Sequence, residues 1–369
     1  MEKPDIIIIG AGIVGLAIAT ALSQKDRSII LIEKENSFGQ HASSRNSEII
    51  HSGIYYKKDS LKATLCVEGR ELLYRFCREQ NIPHSQPGKL IVATDSKGVS
   101  ALEKLFANGK LNGLEELSML GCEEIKKIEP AINAIAAILS PLTGIVDTHY
   151  LMKRLQDIAE DRGVIFAYGC EVTGIEKKND TYQIKVADSD GEDLTLTSTT
   201  LINSAGLYSE KIARMAGIDT VKNNYILHYS KGEYFRVSGI KPGTLNHLIY
   251  PTPEKASLGI HTVMDLGGGL KLGPNAYYFD KIDYDIDSSA REIFYKSAKN
   301  FLPFLELESL SPDMAGIRAK LQAPGEQERD FVISHEDKKG LPGLINLIGI
   351  ESPGLTASLA IAKHVESMV

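Results

Sequence analysis

Asp5 is followed by four consecutive isoleucines, 6–9, with no polar residue between them, and then by Gly10. An unbroken β-branched run of this length suits a parallel strand covered on both faces. The small and apolar residues that follow, Val14, Leu16, Ala17, Ala21 and Leu22, suit the start of a helix packed closely on a sheet, and a second apolar run, 28–32, gives the next strand. Further on, Leu65, Leu72, Leu73 and Phe76 recur at helical spacing among charges, which predicts an amphipathic helix over 61–80. The pattern then predicts a strand at 88–94, helices around 100–108 and 122–128 with Pro130 as a stop, and a helix over 151–162. Two short strands follow at 163–175. A hairpin at 182–186 and 194–199 turns around Asp190-Gly191, and residues 200–209 again read strand, small-residue turn, helix. From 225 to 303 the pattern alternates with period two, at 231–237, 247–251, 259–263 and 270–275. This predicts an antiparallel sheet with one face buried and one facing a ligand. The chain closes on a strand, loop and helix start at 344–358. No repeat or low-complexity linker separates these parts, so two domains interleave.

Chemistry enters first at the glycines. Gly10, Gly12 and Gly15 stand in G-x-G-x-x-G spacing between a strand and a helix: the first for a tight turn, the second for close approach of a pyrophosphate, the third for helix–strand packing. Glu33 ends the second strand, about twenty residues on, where a carboxylate accepts from an adenosine ribose and disfavours a 2′-phosphate. The run 42–56 is dense in hydroxyls and holds one arginine, one histidine, two tyrosines and isoleucines, a mixture that suits contact with phosphate and a polar ring edge better than a solvated loop.

Bulk properties narrow the classes. The chain has 369 residues, 43% hydrophobic and 24% charged, the composition of a folded two-domain protein. The isoleucine run is too short to span a bilayer and follows no basic leader, so a cytoplasmic protein is expected. A net charge of −7 without an arginine-rich tract argues against nucleic acid. Four scattered cysteines, Cys66, Cys77, Cys122 and Cys170, without a C-x-x-C pair, read as buried free thiols, and the histidines show no ligand spacing, so no metal is expected.

The glycine motif, Glu33, Ser43-Ser44-Arg45-Asn46-Ser47 and above all Ile50-His51-Ser52-Gly53-Ile54-Tyr55-Tyr56-Lys57 resemble the FAD-dependent oxidoreductases of the D-amino-acid oxidase superfamily. Within it they are closest to the L-2-hydroxyglutarate dehydrogenases and oxidases. The resemblance implies an α/β (α+β overall) fold. A Rossmann-like FAD-binding domain is expected from 1–80, 145–220 and 316–369, with an interleaved antiparallel-sheet substrate domain from 81–144 and 221–315.

It implies FAD, held by Gly10, Gly12, Ile13, Val14, Gly15, Glu33 and Lys34. Ser43, Ser44, Arg45, Asn46 and Ser47 would lie near pyrophosphate and flavin, and His51, Ser52 and Gly53 near the ring. Val172 would lie beside the adenine, with Ala205 and Gly206 close to the cofactor and the helix start at Gly354, Leu355 and Thr356 facing the flavin. Met314-Ala315-Gly316-Ile317-Arg318 resembles the segment whose arginine clasps the substrate carboxylate. Gly232-Glu233-Tyr234, Ile249-Tyr250-Pro251, Leu258-Gly259-Ile260-His261 and Leu272-Gly273-Pro274-Asn275 resemble the family's substrate domain.

The implied reaction is oxidation of a small 2-hydroxy acid carboxylate, foremost L-2-hydroxyglutarate to 2-oxoglutarate. Arg318 fixes the carboxylate, His51 or else His261 accepts the hydroxyl proton, and Tyr55, Tyr234 and Tyr250 orient substrate. No donor for a second carboxylate stands out. Where these enzymes usually carry an Asn-Ala-Pro-Ser-Pro type loop, this chain has Gly349-Ile350-Glu351-Ser352-Pro353-Gly354. The competing readings are an amine oxidase of the glycine-oxidase type, a polyol or glycerol-3-phosphate dehydrogenase, and, outside enzymes, a flavin-binding partner subunit. Electrons would pass to oxygen, or to a quinone, which requires peripheral contact with the inner membrane; oligomeric state stays open.

Overall fold

A computed structural model describes residues 3–188, 191–253 and 259–369. Its centre is the isoleucine strand Ile6–Ile9, paired in parallel with Ile29–Ile32 on one side and Thr200–Asn203 on the other. Ile6 and Ile8 enter a core shared with the helices Ile13–Leu22, Leu61–Glu79, Thr148–Asp161 and Gly354–Glu366. Ile7 and Ile9 enter a second core on the opposite face. Both faces are covered, so the run carries no polar alternation. The sheet has six strands in the order Val332–His335, Leu344–Ile348, Thr200–Asn203, Ile6–Ile9, Ile29–Ile32, Ile165–Ala167, and only Val332–His335 runs antiparallel to its neighbour. The second core is roofed by the antiparallel strands Glu171–Lys178, Thr181–Ala187 and Asp193–Ser198. Of the turn expected between the last two, Asp190 lies outside the described residues.

The other half of the fold is built on the long strand His228–Val237. It pairs antiparallel with Leu270–Gly273, Tyr277–Phe279 and the eleven-residue strand Leu310–Lys320, and His261–Met264 extends the sheet beyond Leu270–Gly273. Leu258, expected at the head of one of these segments, lies outside the described residues. Three expectations change here. Leu248–Pro251 joins a different sheet, pairing in parallel with Lys89–Ala93, which in turn pairs with Ala136–Ser140. It meets the antiparallel sheet through a side chain: the Thr262 hydroxyl accepts from Ile249 N–H at 2.6 Å and donates to Ile249 C=O at 3.2 Å. Second, the stretch read as all strand contains the helix Arg291–Lys299, whose Phe294 and Ala298, one helical turn apart, are buried in that half's core. Third, the 315/316 division falls inside Leu310–Lys320, a continuous strand carrying Arg318 at its far end.

Two cysteines also differ from expectation. Cys66 and Cys77 are buried free thiols, whereas Cys122 and Cys170 are only half-buried, at the edges of short elements. Among the described residues no helix is long and apolar enough to cross a membrane, and no group of three or more His, Cys, Asp or Glu is placed to hold a metal.

Candidate active site

The turn after Ile9 is shaped by close approach. Gly10 has φ +102°, and a Cβ there would meet the Ser204 carbonyl at 2.7 Å; at Gly15 it would overlap the Gly10 carbonyl. Ser43 Oγ accepts from Ile13 N–H at 2.9 Å and lies 3.0 Å from where a Gly12 Cβ would stand, tying the hydroxyl-rich loop to the helix start. Glu33 accepts from the Ala11 N–H at 2.7 Å and the Glu35 N–H at 3.0 Å. The carboxylate thus holds the turn, and each oxygen keeps a second lone pair for a ligand. Gly10, Gly12, Glu33, Lys34, Ser43, Val172, Ala205 and Gly206 line one cleft of about 780 Å³, partly open to solvent. Ile9, Ile32 and Val172 give it apolar wall, and the helix Ile13–Leu22 points its positive end there. Glycines at the turn, apolar walls and an acid at the strand end fit the adenosine and pyrophosphate of a dinucleotide.

The remaining expected cofactor residues divide. Val14 packs against the first core. Ser44 donates to the His41 carbonyl and Asn46 to the Ala42 and Ser43 carbonyls, so both side chains close their own turn instead of lining the cleft. Lys34 lies 3.8 Å from the Tyr208 ring centre. Arg45 stacks over Tyr284 at 4.1 Å, with its Nε buried and unpartnered. Ser47 Oγ lies 2.9 Å from Tyr234 OH. The Ser52 carbonyl accepts from Arg70, its hydroxyl is buried without a partner, and Gly53 turns with φ +106°. Gly354 opens the last helix and Leu355 packs on the first core. Thr356 Oγ1 accepts from His51 N–H at 3.0 Å and donates to Ile49 C=O at 3.1 Å, joining that helix start to the histidine.

Around His51 the fold gathers Tyr55, Tyr234, Tyr250, His261 and Arg318 from five separate segments. Tyr250 and His261 stack, with ring centres 3.7 Å apart and 10° between planes. Sequence reasoning missed a seventh member, Lys89, whose Nζ sits 4.6 Å from the Tyr55 ring centre and 4.5 Å from that of Tyr250. Its only signal was position: it starts a strand whose other residues are apolar. His51 Nδ1, Tyr55 OH, Lys89 Nζ, Tyr250 OH and Arg318 Nη1 are all buried without a hydrogen-bond partner among the described residues. Such a cluster of orphans is what a pocket for a polar ligand leaves behind.

Electrostatics follow from burial and from the absence of a carboxylate among the seven. Burial, aided by the Lys89 charge, pushes His51 down to about 3. His261 falls well below its ordinary value, mainly by burial, with Lys89, His51 and Arg318 adding to it. Burial likewise raises the three tyrosines and lowers Lys89 to about 7. At neutral pH both imidazoles are therefore neutral, and the tyrosines are neutral donors. Glu351, whose carboxylate also feels Arg318, is bridged by Lys62 and Lys320 at 3.1 Å each.

The family described as DAO, FAD dependent oxidoreductase, matches residues 5–368. The chain belongs to this family. It is 40% identical to the mitochondrial L-2-hydroxyglutarate dehydrogenase of Arabidopsis thaliana, over 99% of this chain and 83% of that protein. It is 31% identical to the L-2-hydroxyglutarate dehydrogenase of Indibacter alkaliphilus, over 98% and 97%. Among solved structures, the dithionite-reduced L-α-glycerophosphate oxidase of Mycoplasma pneumoniae with FAD bound superposes with a TM-score of 0.89 at 28% identity, covering 100% of this chain and 95% of that one. The chain is thus an FAD-dependent oxidoreductase, and the cleft at Gly10 fits the dinucleotide part of that cofactor.

Proposed function

We propose that this enzyme oxidises L-2-hydroxyglutarate to 2-oxoglutarate. The observation that carries the reading is the cluster that brings an unpartnered Arg318 Nη1 together with two neutral imidazoles and no carboxylate among its members. Full-length likeness to proteins named for that substrate supports it. Gly10, Gly12, Glu33, Ser43, Val172, Ala205 and Gly206 would hold the adenosine and pyrophosphate, and the helix start at Gly354–Thr356 would face the ring. Bound FAD supplies a two-electron acceptor for the hydride on the substrate α-carbon.

The chain's residues do the rest. Arg318 clasps the α-carboxylate, fixing which face of the α-carbon is presented. His51 Nδ1 takes the hydroxyl proton, its backbone held by Thr356 and its Nε2 3.4 Å from Ser352 Oγ. As the C–H pair leaves with its hydrogen and the O–H pair becomes the second bond of C=O, the neutral imidazole becomes the proton store. Tyr234, fixed by Ser47, and Tyr55 and Tyr250 exclude water and offer hydroxyl donors. Oxygen or a quinone would be the final electron acceptor. We place the enzyme in the cytoplasm, visiting the inner-membrane surface where the acceptor is a quinone.

The test is anaerobic stopped-flow absorbance of the flavoprotein mixed with L-2-hydroxyglutarate, its D-enantiomer, glycine and glycerol 3-phosphate. Bleaching by the L-hydroxy acid alone is expected. Bleaching by glycine or by glycerol 3-phosphate, and none by the L-hydroxy acid, would overturn the substrate.

A further inference from the structure

Three lysines are buried among the described residues: Lys62, Lys89 and Lys231. Lys62 is bridged to Glu328 and Glu351, and Lys231 lies 3.6 Å from Asp283. Lys89 alone of the three has no carboxylate and no hydrogen-bond partner, at 0% exposure. It begins the strand Lys89–Ala93, flanked by Leu248–Pro251 and Ala136–Ser140, so its backbone is fixed from both sides. Period-two alternation puts it on the face of Ile91 and Ala93, the face that also carries Tyr250. Rings on two sides recover only part of what an unpaired ammonium loses on leaving water. A group so placed lacks an anion.

The pocket shows where that anion would sit. His261 feels Lys89 and Arg318 together, and Tyr250, stacked on His261, also touches the Lys89 ammonium through its ring face. Two cations therefore act on one imidazole. A 2-hydroxy monoacid would satisfy Arg318 and leave Lys89 bare, whereas a diacid satisfies both. We infer that Lys89 receives the second carboxylate of the substrate, so that the enzyme selects 2-hydroxy diacids over monoacids of equal chain length; this rests on the 2-hydroxy acid reading above.

The experiment compares holoenzyme with Lys89→Met and Lys89→Gln. Anaerobic flavin reduction is measured with L-2-hydroxyglutarate and with L-2-hydroxypentanoate, and binding of unreactive glutarate and pentanoate is read from the flavin spectrum. Removing one partner of a buried charge pair should weaken glutarate binding about 100-fold. The diacid-to-monoacid ratio of kcat/KM should fall by a similar factor, with Lys89→Arg restoring part of it. An unchanged ratio, with all rates lowered alike, would make Lys89 a proton acceptor and overturn the inference, as would unaltered glutarate binding. Failure of L-2-hydroxyglutarate to reduce the wild-type flavin would instead overturn the proposed reaction, and the glutarate titration would still decide Lys89. Methionine deletes a buried charge and fits the apolar surroundings, so its thermal midpoint should not fall. A large drop would make Lys89 structural and overturn the inference.

Discussion

His51 keeps its proton off because burial, and after it the charge of Lys89, opposes a positive imidazolium, and that decides how activity and stability respond to pH. Its value of about 3 against an ordinary 6.5 means that the unfolded chain binds the extra proton between those limits. The His51 contribution to stability is therefore fully present above pH 6.5 and declines as pH falls towards 3. Thermal midpoints measured across pH 4–7 should drop less steeply for His51→Asn than for wild type. In catalysis the same substitution should lower kcat by about 10²–10⁴-fold while FAD stays bound. Arg318→Ala should lower flavin reduction by at least about 100-fold, with the flavin again retained, because the charge-assisted clasp is lost and not the cofactor cleft. Retained turnover in Arg318→Ala would remove that role.

At the scale of elements, the site depends on two helices whose backbones meet directly at one point. Helix Leu61–Glu79 starts at Ser60, whose hydroxyl accepts from the Ala63 N–H, and crosses helix Gly354–Glu366 at Gly69. A Cβ at Gly69 would overlap the Thr356 carbonyl and meet Ala357 Cα at 2.7 Å, and both are backbone atoms that cannot rotate away. Gly69→Ala should therefore push the last helix outward and destabilise the protein by about 1–3 kcal/mol. Thr356 would move with it, and Thr356 holds the His51 N–H. Urea unfolding should show the lower midpoint, and kcat should fall in the same variant; a stable variant with normal kcat would show that the helices can separate independently of the site.

Across the whole molecule the loop of residues 349–353 is pinned by a buried ionic knot. Glu351 joins Lys62 on helix Leu61–Glu79 to Lys320 on strand Leu310–Lys320, so one carboxylate links both halves of the fold. The two ammoniums, with Arg318 behind them, outweigh burial and hold Glu351 below its ordinary 4.5. Its contribution to stability is present above that value and is lost as pH falls below it. Glu351→Gln leaves Lys320 without a carboxylate and Lys62 with Glu328 alone, and should cost about 3 kcal/mol at pH 7, with a smaller loss at pH 4. Denaturant midpoints at the two pH values check both statements.

Much of this was legible along the chain because it is local. Four isoleucines can only be a strand covered on both faces, the glycine spacing marks a backbone that must approach something, and the period of residues 61–80 names its own helix. Arg318 and His51 stood inside distinctive segments. What local pattern could not carry is partnership. Residues 248–251 alternate like their neighbours, yet the Thr262 side chain occupies the backbone of Ile249 and sends that strand to Lys89–Ala93. Lys89 itself reads like any lysine opening a strand, since a charge is cheap or costly only according to what surrounds it. The sequence by itself determined the dinucleotide turn and the order of elements. The tertiary structure alone decided that Tyr55 and Tyr250, 195 positions apart in the numbering, close over one ammonium and leave it without a counter-ion.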